Sequence, residues 1–164
     1  MRARRSRSAI DHIAFVLCIG TMLAIGCAPQ KHSVTSEIER LQGTWQLVYQ
    51  QMNGKKLPDE ETAKMFHGQM VFAGDKIHYS VELPGFDFAF AYKLRPEVTP
   101  KTIDLELIDT VDKQGIGQKT FGIYSLERDT LKICHSKGVR PKDFDAGDGS
   151  HNMLIVLKRK LELR

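Results

Sequence analysis

From Trp45 onward the chain alternates apolar and polar residues with a period of two, the spacing of β strands that bury one face. Trp45, Leu47 and Tyr49 alternate with Gln46, Val48 and Gln50, and residues 70–73 make a second run. Ile77, Tyr79, Val81 and Leu83 share one face against His78, Ser80 and Glu82. Phe86, Phe88, Phe90, Tyr92 and Leu94 form the most regular alternation, against Asp87, Ala89, Ala91 and Lys93. Ile103, Leu105 and Leu107 follow, and residues 121–126, 131–135 and 153–159 complete eight predicted strands. Asn53-Gly54, Gly74-Asp75 and Pro84-Gly85 supply turn chemistry between them.

Two stretches break the period. Ser36-Glu37-Ile38-Glu39 carries Ser at a helix N-cap and Glu three residues on, which predicts a short helical turn to about Leu41. Pro58, Asp59, Glu60 and Glu61 suit a first helical turn, with His67 and Gly68 at the end, so a helix is expected over 59–67 between the first and second strands. The carboxylates of Glu60 and Glu61 are explained by the helix dipole and indicate no acid–base chemistry. Eight short strands with one apolar face each have two ways to hide it, a sandwich or a closed barrel, and closure also removes exposed sheet edges.

Ahead of the strands stands a different kind of segment. Residues 1–7 are cationic, and residues 13–26 form an uncharged apolar run of 14 residues. A bilayer-spanning helix needs about 20, so the run fits the core of a cleavable leader. Leu23-Ala24-Ile25-Gly26-Cys27 resembles a bacterial lipobox, with Ala24 where Leu is commoner. The resemblance implies that Cys27 is lipidated and becomes the N-terminus, and that Ala28, in place of Asp, directs the protein to the outer membrane, facing the periplasm. An ordinary secretory leader has similar small residues at its cleavage site, and an incidental cysteine would then follow. The expected division is a signal peptide over 1–26, a tether over 27–35 and one domain over 36–164, with acyl chains sufficient to hold the protein at a membrane.

Charge and cysteines alter the picture less than the totals suggest. Of the formal charge of +4, the first 26 residues hold +3, from Arg2, Arg4, Arg5 and Arg7 against Asp11, which leaves +1 for the rest. A nearly neutral domain has no single-sign patch for phosphates, so nucleic acid is not an expected partner. Of the three cysteines, Cys18 leaves with the leader, Cys27 takes lipid and Cys134 remains alone, which excludes an intramolecular disulfide.

Gly43-Thr44-Trp45 after a helical turn resembles the opening motif of lipocalins, in which the Trp plugs the closed end and a basic side chain from the last strand crosses its face. Arg159 shares parity with Met153, Ile155 and Leu157 and is the residue placed to do so. From Leu41 to Lys160 the chain further resembles an uncharacterised lipocalin-like domain family of planctomycete bacteria. The matching pieces are Leu41-Gln42-Gly43-Thr44-Trp45, Asn53-Gly54-Lys55-Lys56-Leu57-Pro58, Pro100-Lys101-Thr102-Ile103-Asp104-Leu105, Asp129-Thr130-Leu131-Lys132-Ile133-Cys134, Arg140-Pro141 with Phe144, and Leu154-Ile155-Val156-Leu157-Lys158-Arg159. The expected fold is therefore all-β: an eight-stranded antiparallel lipocalin-like, calycin-type barrel with one short helix between its first and second strands. The resemblance implies no reaction and no cofactor.

Candidate chemistry is sparse. Cys134 and His135 are adjacent in a strand and point to opposite faces, so they cannot pair as nucleophile and base. His32, His67, His78, His135 and His151 lack zinc-ligand spacing, although the fold has the freedom to bring His78 and His135 together. Residues 143–150 look metal-like, but a calcium loop begun at Asp143 would put Gly147 at position five and Leu154 at position twelve, and the pattern fails. The sequence supports neither a metal site nor an enzyme. Two readings stay open. In one, Tyr49, Tyr79, Phe86, Phe88, Phe90, Tyr92 and Phe121 line a cavity for a small apolar ligand, covered by the helix over 59–67. In the other the aromatics fill the core, and the protein is a non-enzymatic envelope module acting through its outer surface.

Overall fold

Each long strand pairs with the next in the chain, and the last returns to the first, so the sheet closes on itself. The computed structural model describes residues 33–56, 68–81 and 87–160. The leader, Cys27, His32, His67, Phe86 and the helix expected over 59–67 lie outside the described residues. The strands are β1 (Gly43–Met52), β2 (Lys55–Lys56), β3 (Gln69–Ala73), β4 (Lys76–Ser80), β5 (Asp87–Arg95), β6 (Thr102–Thr110), β7 (Lys119–Glu127), β8 (Thr130–Ser136) and β9 (Met153–Arg159). All pairings are antiparallel, and β1 meets β3 on one side and β9 on the other. The eight long strands make the closed antiparallel barrel, while β2 is a two-residue return on the end of β1. Asn53 and Gly54 both have positive φ in the turn between them, the backbone a two-residue hairpin needs.

Among the described residues one helix, α1 (Val34–Leu41), precedes β1. It starts earlier than the Ser36 cap expected from the sequence: Ser33 is the cap, and its hydroxyl accepts from the backbone N–H of Ser36 at 3.2 Å. Val34 and Thr35, expected in the tether, are thus helical. Glu37 and Leu41, four apart and on one helix face, are buried. The fully buried Glu37 carboxylate is paired with Arg40 at 3.3 Å and with the ammonium of Lys101. A buried charge persists only with such partners.

α1 and Trp45 close one end of the barrel. The Trp45 indole N–H donates to Leu41 O at 2.7 Å. Across the ring lies Arg159, its guanidinium carbon 4.1 Å from the ring centroid, with N–H groups donating to Gln42 O at 2.7 Å and to Arg40 O. Gly43 sits at φ +106, a backbone region closed to most side chains, and a Cβ there would stand 3.5 Å from Arg159 Nη1. That is the physical content of Gly-x-Trp: the glycine turns the chain from helix to strand beside the cation that covers the tryptophan. Gln42 ties the same end to the β3–β4 turn, accepting from Gly74 N at 2.7 Å and donating to Ile38 O at 2.9 Å.

The segment 137–152 between β8 and β9 lies against the outer face of β7 and β8. Arg140 carries it, donating to Gly122 O at 2.6 Å, pairing with Asp104 at 2.5 Å and resting over the Phe121 ring at 5.6 Å. The carboxylates of Asp143 and Asp145 accept from the backbone N–H of Asp145 and Gly147, at 3.0 and 2.8 Å. The acidic string is a pair of turns that use their own oxygens.

Candidate functional site

The inner face of the barrel changes character along its axis. At the Trp45 end, Phe72, Ile77, Tyr92, Ile103, Tyr124, Leu131, Ile133 and Leu157 pack with Trp45 and Leu41 into a filled core. Phe72 and Tyr92 meet edge to face with centroids 5.5 Å apart. This half is solid. Further from Trp45 the inward residues include Gln50, Tyr79, Phe88, Phe90, Leu107, Thr120, His135 and Met153, which retain accessible surface, beside Thr110, which is buried. Phe88 stacks with Tyr79 at 6.3 Å and with Phe90 at 6.4 Å, so the aromatics of β4 and β5 form one wall.

Two expected lining residues are not there. A bulge between Leu47 and Tyr49 leaves Val48 unpaired against β9, and beyond it the parity of β1 reverses. Tyr49 pairs with Val156 on the outside, under Lys56, whose ammonium is 5.9 Å from its ring. Gln50 pairs with Ile155 and turns inward in its place. Phe121 also faces out, beneath Arg140, because the inward parity of β7 belongs to Thr120, Gly122, Tyr124 and Leu126. Both faces of β7 are covered, one by the barrel core and the other by the segment 137–152, so a period of two cannot choose between them. Tyr79, Phe88, Phe90 and Tyr92 are on the inner face, with Tyr92 in the filled half, while Phe86 lies outside the described residues.

Among the inner polar groups, Tyr79 and His135 were candidates in the sequence, whereas Gln50 and Thr120 were not. Tyr79 donates to Gln50 Oε1 at 3.5 Å, and Gln50 Nε2 reaches Met153 Sδ at 3.6 Å. His135 pairs across the sheet with Met153 on one side and Gly122 on the other. A Cβ at Gly122 would stand 2.9 Å from His135 Cβ, so the glycine clears the wall beside the imidazole. Among the described residues, no hydrogen-bond partner reaches His135 Nδ1 or Thr120 Oγ1. The signal for His135 was present in the alternation of Leu131, Ile133 and His135. None existed for Gln50, since the bulge that turns it inward leaves no mark on the pattern.

Burial sets the electrostatics here. It pushes the His135 imidazole down to about 4 and raises the Tyr79 hydroxyl, so both are neutral at pH 7. Cys134 points outward, fully buried under the segment 137–152, with its thiol 3.7 Å from Asp145 O. Burial, with Asp143 and Asp145 adding to it, pushes that thiol up to about 11, the opposite of an activated nucleophile. His78 faces outward from β4, so it cannot meet His135, which faces inward from β8. His78 instead borders an outer groove of about 260 Å³ with Asp87, Ala89, Asp109 and Lys113. Among the described residues no three His, Cys, Asp or Glu side chains are grouped to hold a metal.

No family model matches the chain, and no curated protein proves similar to it.

Proposed function

We propose that the protein is a lipid-anchored component of a bacterial cell envelope whose barrel binds a small, mostly apolar molecule in the half away from Trp45. The observation that carries this reading is the contrast along one inner face: a solid core at one end, and at the other aromatic and aliphatic side chains that point inward yet keep accessible surface. Concave apolar surface with a few polar groups is the usual makeup of a small-molecule site. The neutral state of His135 and Tyr79, and the outward, unactivated Cys134, favour binding over catalysis. Titration calorimetry with an apolar dye or a fatty acid tests it. Saturable binding weakened by Phe90→Ala is expected, and a flat titration with no heat would remove the reading.

The anchor rests on the lipobox-like sequence ending at Cys27 and on an apolar run too short to span a bilayer. Ala28 after the cysteine, in place of Asp, supports an outer-membrane location facing the periplasm. Mass spectrometry of the mature N-terminus should find diacylglycerol and an acyl chain on Cys27, and Cys27→Ser should abolish both. An N-terminus cleaved elsewhere without lipid would refute the anchor.

A second reading has its own observation. The groove of about 260 Å³ beside His78 and Asp109 is on the outer wall, where a protein or wall component would dock if the interior were idle. Crosslinking in intact cells from Asp109→Cys would then capture a specific partner, and mutation of the inner face would leave that capture intact.

A further inference from the structure

The polar groups on the inner wall are placed too deep for a site that takes bare hydrocarbon. His135 is closely surrounded by protein and still keeps accessible surface, the combination expected of a group that lines an internal space. Its Nδ1 is buried and has no partner among the described residues, and the same holds for Thr120 Oγ1. On the inner face the two are diagonal neighbours, separated only by Gly122, which has no side chain to intervene. Gln50 is served by a thioether and a long contact with Tyr79, both weak substitutes for an amide's usual partners. A buried donor or acceptor left bare costs free energy, so native proteins satisfy such groups with protein, water or ligand.

Resting on the ligand-binding reading above, we propose that the site selects an uncharged amphipathic molecule, a hydrocarbon body ending in one hydroxyl, amide or ester carbonyl, whose polar end is received by His135, Thr120 and Gln50. Neutrality follows from the charges nearby. Among the described residues, the cations on the inner parity are Arg159, Lys101 and Lys55, and Lys101 is held at the Trp45 end by its pair with the buried Glu37. Arg159 is engaged with Trp45 and two carbonyls at the opposite end, and Lys55 is exposed at the rim. A carboxylate would therefore reach a buried imidazole that burial holds uncharged, with no standing cation beside it. A neutral imidazole, by contrast, offers one donor and one acceptor, and a hydroxyl or amide can serve either. The hydrocarbon would lie along Phe88, Phe90, Leu107 and Met153.

The full chain, reconstituted in lipid nanodiscs with partition into empty discs subtracted, is titrated at pH 7 with 1-decanol, decanoate and decane. Imidazole ¹⁵N NMR is recorded alongside, with His135 assigned through His135→Asn. Decanol should bind about ten- to a hundredfold more tightly than either of the others, the span that one or two buried hydrogen bonds supply. Its addition should shift the His135 nitrogens while leaving the ring neutral. Thr120→Val and His135→Phe should each narrow the preference without abolishing decane binding, and the wild-type NMR stands even if a variant fails to fold. Equal affinity for decanol and decane would mean that water serves these groups and would overturn the proposal, leaving the apolar site intact. Tighter decanoate binding with a protonated His135 would overturn it in favour of an acid. Failure of all three probes to bind would defeat the ligand-binding reading itself, and this proposal with it.

Discussion

The guanidinium carbon of Arg159, from the last strand, stands 4.1 Å from the centroid of the Trp45 ring, from the first. It joins the first and last strands of the sheet where the barrel closes. The contact combines cation–π attraction, worth about 0.5–2 kcal/mol, with hydrogen bonds from one planar group to Gln42 O and Arg40 O at the end of α1.

Arg159→Leu should therefore cost about 2–4 kcal/mol in urea denaturation, since it bares the indole and removes the donors from two carbonyls. Arg159→Lys should recover less than half of that loss, because an ammonium lacks the flat fork that covers the ring and reaches both oxygens together. Full rescue by lysine would reduce the contact to simple charge.

Glu37 is the buried acid of the same end, held by Arg40 and Lys101. Glu37→Gln leaves two cations without their counterion and should destabilise the fold by about 3–5 kcal/mol. Pairing Glu37→Leu with Lys101→Met should restore much of the stability, because both charges then leave the interior together. A double variant no better than the single one would argue against charge burial as the cause.

The bulge at Val48 makes a sharp distinction between two aromatic residues. Tyr49, on the outer wall, should tolerate alanine at a cost of about 1 kcal/mol or less, while Phe90→Ala on the inner wall should cost about 3 kcal/mol. Equal losses would contradict the reversed parity beyond Leu47.

His135 predicts an acid-sensitive fold. Its folded-state pKa, about 4, lies below the ordinary 6.5 because burial disfavours the charged ring. The unfolded chain therefore binds the proton first as pH falls, so the stabilisation is complete above about 6.5 and is lost as pH drops toward 4. The gap corresponds to about 3 kcal/mol. Denaturation midpoints measured from pH 7 to pH 4 should fall more steeply for the wild type than for His135→Asn, and parallel curves would sink the assignment.

Cys134, buried with its thiol pushed up to about 11, should resist iodoacetamide in the folded protein at pH 8 and react on unfolding. Mass spectrometry of the peptide that contains it provides the reading. Rapid labelling under native conditions would place the segment 137–152 away from the outer wall.

Much of the architecture was legible in the chain because it is written in local repetition. A period of two, sustained through β4 and β5 and through β6 as far as Leu107, and punctuated by Asn53-Gly54 and Gly74-Asp75, yields antiparallel strands with one apolar face, and strands of that kind must close or stack. What alternation cannot carry is a change of phase. The unpaired Val48 exchanges Tyr49 for Gln50 on the inner wall, and the cover that the segment 137–152 lays on β7 and β8 half-buries Phe121 and makes Cys134 as buried from outside as Tyr124 is from within. Local sequence thus determined the strands and their turns. Only the closed sheet, where each side chain's direction depends on the register of neighbours distant in the chain, decided that a glutamine and a threonine would join His135 on the inner wall.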